Sequence, residues 1–156
     1  MRRKKKYFNR DINAPEPISV EVVRRVSFSE IDLMAIAWHG RYAVFFEEAS
    51  AKLGRKSGMS YKAFRENNLL APIAQLHVDY HRPLELDELF KVKASMIWND
   101  AAKINIEYLI TKENGLLACT GYTVQLFVSA ETSEVCWIIP PLFDNCRKKW
   151  LNGEFV

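Results

Sequence analysis

The segment at residues 42–54 reads YAVFFEEASAKLG and predicts the central helix of the fold. Its apolar side chains recur three and four residues apart, which places them on one face of a helix. They are Tyr42, Phe45, Phe46, Ala49 and Leu53. Glycine commonly ends helices, so we expect the helix to stop at Gly54. No other segment of the sequence predicts a helix with so large an apolar face.

Five further segments alternate apolar and polar residues with the period of a β-strand. They lie at 18–28, 76–80, 90–98, 104–110 and 122–128. In the first of them we expect Phe28 on the apolar face, although Arg24 interrupts that face. Asn114-Gly115 is the strongest hairpin signal, which favours antiparallel pairing. A short helix is expected over 60–68, with Ser60 as its N-cap.

An antiparallel sheet with one apolar face needs a cover, and the helix at 42–54 supplies the largest apolar surface available. We therefore predict an α+β fold in which one antiparallel sheet of about five strands wraps around one central helix. The length of 156 residues and the hydrophobic share of 49% are enough for one domain with a core of its own. We assign that single domain to residues 18–156.

The basic character of the chain is concentrated at its start. Residues 1–10 hold six basic residues and no acidic one, and without them the chain has 16 basic against 19 acidic residues. We expect residues 1–17 to be a basic, disordered tail. Because a solvated charged end accounts for the net charge of +3, we expect no nucleic-acid partner.

The cysteines and the absence of long apolar runs indicate the compartment. Cys119, Cys136 and Cys146 are odd in number and show no C-x-x-C spacing, which argues against disulfides and zinc and favours a reducing compartment. No apolar region follows the basic start, and no apolar run approaches the roughly 20 residues of a membrane span. We expect a soluble cytoplasmic protein without a membrane span, metal or cofactor.

The connection at residues 29–41 is the place where chemistry is expected. It joins a strand to the start of the central helix, where backbone N–H groups without an internal acceptor and the helix dipole favour negative charge. Asp32 lies seven residues before His39. Its carboxylate could therefore loop back beside a carbonyl held at the helix start, and attack it or activate a water. The alternative is that Asp32 only caps a turn.

Two motifs make the stretch resemble a known family. The first comprises Phe28-Ser29-Glu30-Ile31-Asp32, then Ile36-Ala37-Trp38-His39 and Tyr42, then Phe45-Phe46-Glu47-Glu48-Ala49. The second is Tyr80-His81-Arg82-Pro83-Leu84 with the acidic turn after it. In this order they resemble the 4-hydroxybenzoyl-CoA thioesterase family of the hot-dog fold, over roughly residues 18–130. The resemblance implies an acyl-CoA thioesterase and protomers that pair edge to edge, as a homodimer or homotetramer with shared active sites.

The resemblance also implies roles for individual residues. Asp32 matches the catalytic aspartate, a nucleophile or general base, and His39 and Gly40 match the helix start that polarises the thioester carbonyl. The residues expected to bind substrate are Trp38, Arg41, Tyr42, Glu47, Arg82 and Lys103. Glu47 is the second choice for the catalytic carboxylate, because another hot-dog lineage uses a glutamate on the helix.

Departures from the family pattern leave alternatives open. Ala35 stands where the family usually has Gly, and Arg41 stands where it usually has Asn. Only Lys103 is basic in the turn at 99–103, so an acyl carrier protein is an alternative partner to coenzyme A. A hot-dog domain that binds an acyl group or a partner without catalysis is the other alternative.

Two further groups of residues are of a type that could form a site. His77, Asp79 and His81 spread over about 13 Å of an extended strand, so we expect a solvated or interface face and not a metal site. Cys119 has no base near it in the sequence, and we expect a small buried residue there.

Overall fold

The structure, a computed structural model, describes residues 7–155. The strands are β1 (Ile18–Arg25), β2 (Leu69–Leu70), β3 (Ile73–Tyr80), β4 (Leu89–Ile97), β5 (Lys103–Lys112), β6 (Leu117–Leu126) and β7 (Val128–Ser129). The helices are α1 (Tyr42–Ser57), α2 (Tyr61–Glu66) and α3 (Pro141–Leu151). Two short 3-10 turns, Phe28–Glu30 and His39–Arg41, lie between β1 and α1. None of the helices in this described part is both long and apolar enough to cross a membrane.

Five of the strands form one antiparallel sheet in the order β1-β4-β5-β6-β3, and α1 packs against it. The predicted α+β arrangement of one sheet around one helix is confirmed, and it is the hot-dog fold. The strands β2 and β7 pair separately as a two-stranded ribbon. The strand β3, which follows α1 by way of α2 and β2, lies at an edge of the sheet beside β6.

Aromatic packing between α1 and the sheet fills the core. Phe46 stacks on Tyr108 of β5 with ring centroids 4.2 Å apart and planes 6° apart. Gly121 of β6 pairs with Tyr108, and a Cβ added at Gly121 would lie 2.7 Å from the Phe46 ring. The absence of a side chain at residue 121 therefore makes room for the stacked pair. Phe45 and Leu53 are as fully buried on the same helix face.

The end of α1 corrects one expectation. The helix does not stop at Gly54 but continues to Ser57, and Gly58 caps it with a left-handed φ of 76°. Gly54 instead permits a close approach, because a Cβ there would lie 2.7 Å from the carbonyl oxygen of Met59. The predicted N-cap of the next helix is confirmed, since the side chain of Ser60 accepts a hydrogen bond from Ala63 N.

The end of β1 corrects a second expectation. The strand stops at Arg25, and Phe28 belongs to a 3-10 turn in which its side chain is 80% exposed. Arg24 keeps the inward position that the alternation assigns to it. Its guanidinium lies 4.8 Å from the centre of the Phe45 ring and bonds to Glu30 at 2.9 Å and Glu48 at 3.1 Å. The half-buried charge thus has two partners, which offset the cost of removing it from water.

The segment before β1 contacts the sheet where the structure describes it. Tyr7 and Phe8 lie on the face of the sheet opposite α1, where the backbone N–H groups of both donate to Glu107 Oε1. The ring of Tyr7 packs on Tyr122 at 5.1 Å. The expectation of a disordered tail over 1–17 stays a prediction, beside which the structure gives Tyr7 and Phe8 these contacts. Residues 1–6 lie outside the described residues.

Candidate active site

The connection between β1 and α1 folds back on itself as a small hairpin. Ile31 and Ala37 form an antiparallel bridge. Inside it, Asp32 N donates to Ile36 O at 3.0 Å, and Ala35 N donates to Asp32 O at 3.0 Å. The side chain of Asp32 also accepts a hydrogen bond from Met34 N at 2.8 Å. Asp32 therefore does cap a turn, through one carboxylate oxygen, and the turn fixes where its side chain points.

Ala35 closes this turn in a conformation that suits glycine. Its φ is 58°, in the left-handed region, which costs a residue with a Cβ about 1–2 kcal/mol. This left-handed conformation is a physical reason for the Gly that the 4-hydroxybenzoyl-CoA thioesterase family usually has at this position. The departure at Ala35 therefore adds strain to the loop.

Replacing Ala35 by Gly should increase the free energy of unfolding by about 0.5–1 kcal/mol, because the relief of strain exceeds the added freedom of the unfolded chain. Urea unfolding followed by circular dichroism measures the change. Gly58→Ala is the matched control, since Gly58 has a φ of 76° with nothing within 4 Å of an added Cβ. That control should lose a similar amount, and a destabilised Ala35→Gly variant would contradict the strain argument.

The two motifs of the sequence meet at this loop. Ala37 N donates to Leu84 O at 2.8 Å, and Leu86 N donates to Ala35 O at 3.1 Å. Ile36 and Glu85 form a further bridge. The segment that follows the Tyr80-x-x-Pro83-Leu84 motif therefore holds the Asp32 loop in place along one side.

Glu30 anchors the other side of the loop. It is buried, its Oε1 accepts from Ser27 N at 2.9 Å, and its carbonyl oxygen accepts from Trp38 N at 2.8 Å. Burial alone would raise the pKa of Glu30, but the Ser27 N–H and the Arg24 guanidinium outweigh it and keep that pKa below its ordinary value. Sequence reasoning missed this anchor, although the Ser27-x-x-Glu30 capping-box spacing would have indicated it.

A cavity of about 360 Å³ opens where the loop, the start of α1 and the end of β3 meet. Its lining comprises Asp32, Met34, Ile36, Ala37, His39, Tyr42, Tyr80, His81, Arg82 and Pro83. Four of the predicted site residues, Asp32, His39, Tyr42 and Arg82, are thus brought together. Tyr80 and His81 were missed as site residues, and their place in the second motif was the available signal.

Hydrogen bonds and ring contacts position the helix start beside this cavity. The Tyr80 hydroxyl donates to His39 O at 2.7 Å, and its ring meets that of Tyr42 edge to face at 4.9 Å. Burial raises the pKa of both tyrosine hydroxyls, so they stay protonated. The 3-10 turn at His39–Arg41 runs directly into α1, so its backbone N–H groups belong to the positive end of that helix.

The other predicted site residues lie elsewhere in the single chain. Trp38 covers Gly40, where an added Cβ would lie 2.3 Å from the indole ring. Arg41 donates to Ser29 O at 3.0 Å and so ties the 3-10 turn to the loop. Glu47 is exposed on α1, and Lys103 begins β5 opposite Leu126. None of these five residues lines the cavity, and their roles toward a substrate stay predictions.

The two other groups of candidate residues do not form a site of the predicted kinds. His77, Asp79 and His81 form no cluster of metal ligands among the described residues, in which no group of three such side chains is suited to an ion. Burial raises the pKa of Cys119 to about 12. Because the thiolate is the nucleophilic form, this buried thiol is unsuited to attack.

Comparisons with known proteins agree with this geometry. The family model of the "Thioesterase-like superfamily" matches residues 26–146. A putative esterase from Aquifex aeolicus is 30% identical over 91 residues, which cover 58% of this chain and 71% of that protein. A putative acyl-CoA thioesterase, YneP, from Bacillus subtilis is 25% identical over 116 residues, covering 71% of this chain and 74% of that protein.

A solved structure shows the same likeness in three dimensions. The DHNA-CoA thioesterase from Staphylococcus aureus superposes with a TM-score of 0.76 and 26% identity, covering 87% of this chain and 94% of that one. The matched family range includes the Asp32 loop, α1 and the second motif. The chain belongs to the Thioesterase-like superfamily and is a thioester hydrolase with the hot-dog fold.

Proposed function

We propose that this protein hydrolyses acyl-CoA thioesters, with Asp32 as the catalytic carboxylate and the start of α1 as the oxyanion site. The observation that carries the proposal is the cavity that Asp32 and His39 line together. The similarity to the DHNA-CoA thioesterase of Staphylococcus aureus supports coenzyme A as the thiol, since that protein acts on a CoA thioester. Within the superfamily, the two motifs favour the 4-hydroxybenzoyl-CoA thioesterase family.

The charges that develop during the reaction indicate the roles of Asp32 and of the start of α1. Asp32 either attacks the thioester carbon or takes a proton from a water that does so. The carbonyl oxygen becomes negative in both cases, and N–H groups at the helix start stabilise that charge. One such donor is typically worth 10²–10³ in rate. The C–S bond then breaks and the thiolate leaves. Where Asp32 has activated a water, that water becomes part of the acid and its proton passes from Asp32 to the thiolate. Where Asp32 has attacked the carbon itself, a mixed anhydride forms, and a second step with one water cleaves it to the acid and restores the carboxylate, while the thiolate takes up the proton that the water releases.

The cavity has features suited to a charged thiol carrier and an apolar acyl group. Met34, Ile36 and Pro83 contribute apolar surface, while Arg82 contributes a guanidinium. The guanidinium donates to Leu117 O at 2.9 Å, which holds it at the end of β3. We infer that Arg82 meets a phosphate of the substrate, because guanidinium binds phosphate well.

An exposed sheet edge supports a homodimer. On β3, Ile73 and Leu76 are 57% and 49% exposed, and Tyr80 is 51% exposed although it lines the cavity. A strand edge with apolar side chains is a template for pairing with another strand. We infer that β3 of a second copy pairs here, which would enclose the cavity. The free cysteines at 119, 136 and 146 support the cytoplasm as the compartment.

A thioester panel tests the function. The purified protein, with its mass in solution determined by light scattering, is assayed for thiol release from short, long and aromatic acyl-CoAs and from an acyl carrier protein. We expect twice the chain mass of 18.1 kDa and turnover of at least one acyl-CoA. Turnover of the carrier-protein thioester alone would reject coenzyme A as the thiol. Tight binding of acyl-CoA without thiol release would reject catalysis and favour the binding alternative.

A further inference from the structure

The segment at residues 7–17, which precedes β1, reaches the back of the active site through Tyr7. The side chain of Tyr7 lies on the sheet face opposite α1, against His77 at 5.5 Å and Tyr122 at 5.1 Å between ring centres. Its backbone is held there by Glu107. Its hydroxyl therefore has a defined position next to the end of β3, whose continuation lines the cavity.

A chain of hydrogen bonds runs from this hydroxyl to the imidazole of His81. Tyr7 Oη donates to Asp79 Oδ2 at 2.6 Å and lies 2.7 Å from Thr120 Oγ1. Thr120 Oγ1 lies 2.9 Å from His81 Nε2. Thr120 is only 1% exposed, so water does not compete for the bonds of its hydroxyl. His81 is one of the residues that line the cavity.

The number of protons fixes the direction of each bond. A carboxylate only accepts, so the single proton of Tyr7 goes to Asp79. Tyr7 must then accept the proton of Thr120, which leaves Thr120 without a proton to offer. His81 Nε2 must consequently be the donor to Thr120. The high pKa of Tyr7, raised by burial and by its bond to Asp79, keeps the first proton in place.

We propose that Tyr7 is a positioning residue of the active site, which holds the imidazole of His81 in the tautomer that carries its proton on Nε2. The neutral ring then keeps its lone pair on Nδ1. The backbone at this point is fixed independently, because His81 N and Arg82 N both donate to Ala118 O. The hydrogen-bonded chain thus governs the ring of His81 and not the path of the strand.

The proposal rests on the proposed function for its effect on turnover, but the tautomer does not depend on that function. Without the Tyr7 hydroxyl, Thr120 regains a free proton. It can then donate to His81 Nε2, which favours the opposite tautomer with the proton on Nδ1. The segment before β1 would in this way influence a residue of the cavity from the far side of the sheet.

The test compares Tyr7→Phe with Tyr122→Phe. Tyr122 lies on the same face of the sheet as Tyr7, and its hydroxyl takes no part in the chain of hydrogen bonds. Tyr122→Phe is therefore the matched control. Long-range proton–nitrogen NMR spectra at about pH 8.5, where an ordinary imidazole is neutral, report the tautomer of each of the three histidines. The spectrum of His81→Gln assigns the signals, and thiol release gives kcat and KM.

We expect wild-type His81 to carry its proton on Nε2, and Tyr7→Phe to shift the proton toward Nδ1. The net value of one hydrogen bond corresponds to a fall in kcat of about fivefold, with KM changed less than about twofold. Tyr122→Phe should match the wild type in both measurements. A wild-type ring protonated on Nδ1, or an unchanged spectrum in Tyr7→Phe, would overturn the proposal.

A second pair of variants guards against loss of the whole segment in Tyr7→Phe. Thr120→Ser keeps the hydroxyl, so His81 should keep the wild-type tautomer. Thr120→Val removes the hydroxyl, so His81 should lose its preference for that tautomer. Equal spectra for these two variants would reject the chain of hydrogen bonds. If the panel and Asp32→Asn reject the proposed function, the spectra still decide the tautomer, and only the fall in kcat is withdrawn.

Discussion

Replacing Asp32 by Asn lowers kcat for acyl-CoA hydrolysis by about 10²–10⁴-fold, the usual contribution of a positioned acid–base group. An amide is neither a base nor a nucleophile at the thioester carbon. Its oxygen can still accept the hydrogen bond from Met34 N, which the carboxylate now accepts at 2.8 Å. The turn should therefore keep its shape, and KM and the free energy of unfolding should change little.

Glu85→Gln is the matched control for charge. Glu85 bridges to Ile36 in the same loop region but does not line the cavity, so the variant should retain wild-type turnover. Thiol release across the acyl-CoA panel measures both variants. Wild-type activity in Asp32→Asn would show that the carboxylate of Asp32 is not the catalytic group. Loss of activity in Glu47→Gln would then favour the second choice of carboxylate.

Replacing Arg24 by Met lowers the free energy of unfolding by about 3 kcal/mol. The change leaves the carboxylate of Glu30 buried without its cation, and breaking a buried pair in this way typically costs 3–5 kcal/mol. The lower end applies because the Arg24 side chain is 21% exposed and that of Glu30 is 8% exposed. Methionine retains an apolar stem against Phe45, so the loss reports the charge and not a cavity.

Arg25→Met provides the comparison on the same strand. The Arg25 side chain is 52% exposed and lies 3.8 Å from Asp87, so its removal should cost less than about 1 kcal/mol. Urea unfolding followed by tryptophan fluorescence measures both variants. Equal losses for the two would show that the buried pair at Glu30 does not stabilise the loop.

The effect of Arg24→Met should depend on pH with a definite sign. The pKa of Glu30 in the folded protein is below its ordinary value of 4.5. The unfolded chain therefore binds the proton first, and the stability that the pair contributes is present above the ordinary value. It is lost as the pH falls through the pKa of the folded protein. The difference between wild type and Arg24→Met should accordingly be full at neutral pH and shrink below about pH 4.5.

Local patterns in the sequence were sufficient for the architecture. The spacing of Phe45, Phe46 and Leu53 predicts one buried helix face, and the alternation in β4, β5 and β6 predicts a sheet with one apolar face. Both periods arise from the geometry of the backbone itself. The order of these elements then leaves few ways to cover the sheet, which is why the fold could be predicted.

The candidate site was predictable only in part. Asp32, His39, Tyr42 and Arg82 belong to the two motifs. The order of these motifs resembles that of a known family. Arg41 and Lys103 were assigned to the substrate by position alone. In the structure Arg41 instead ties the loop to the start of α1. Whether a side chain reaches a cavity or a neighbouring carbonyl depends on its direction in space, which sequence position does not specify.

By itself, then, the sequence determined which segments become helix and strand and that an aspartate precedes the buried helix. Tertiary structure alone decided that Glu30 is buried against Arg24, that Tyr80 and His81 line the cavity, and that Tyr7 reaches the back of it. The physical reason is the range of the forces involved. Backbone periodicity acts between near neighbours, whereas a contact such as Tyr7 with Thr120 joins residues 113 positions apart and exists only once the sheet has formed.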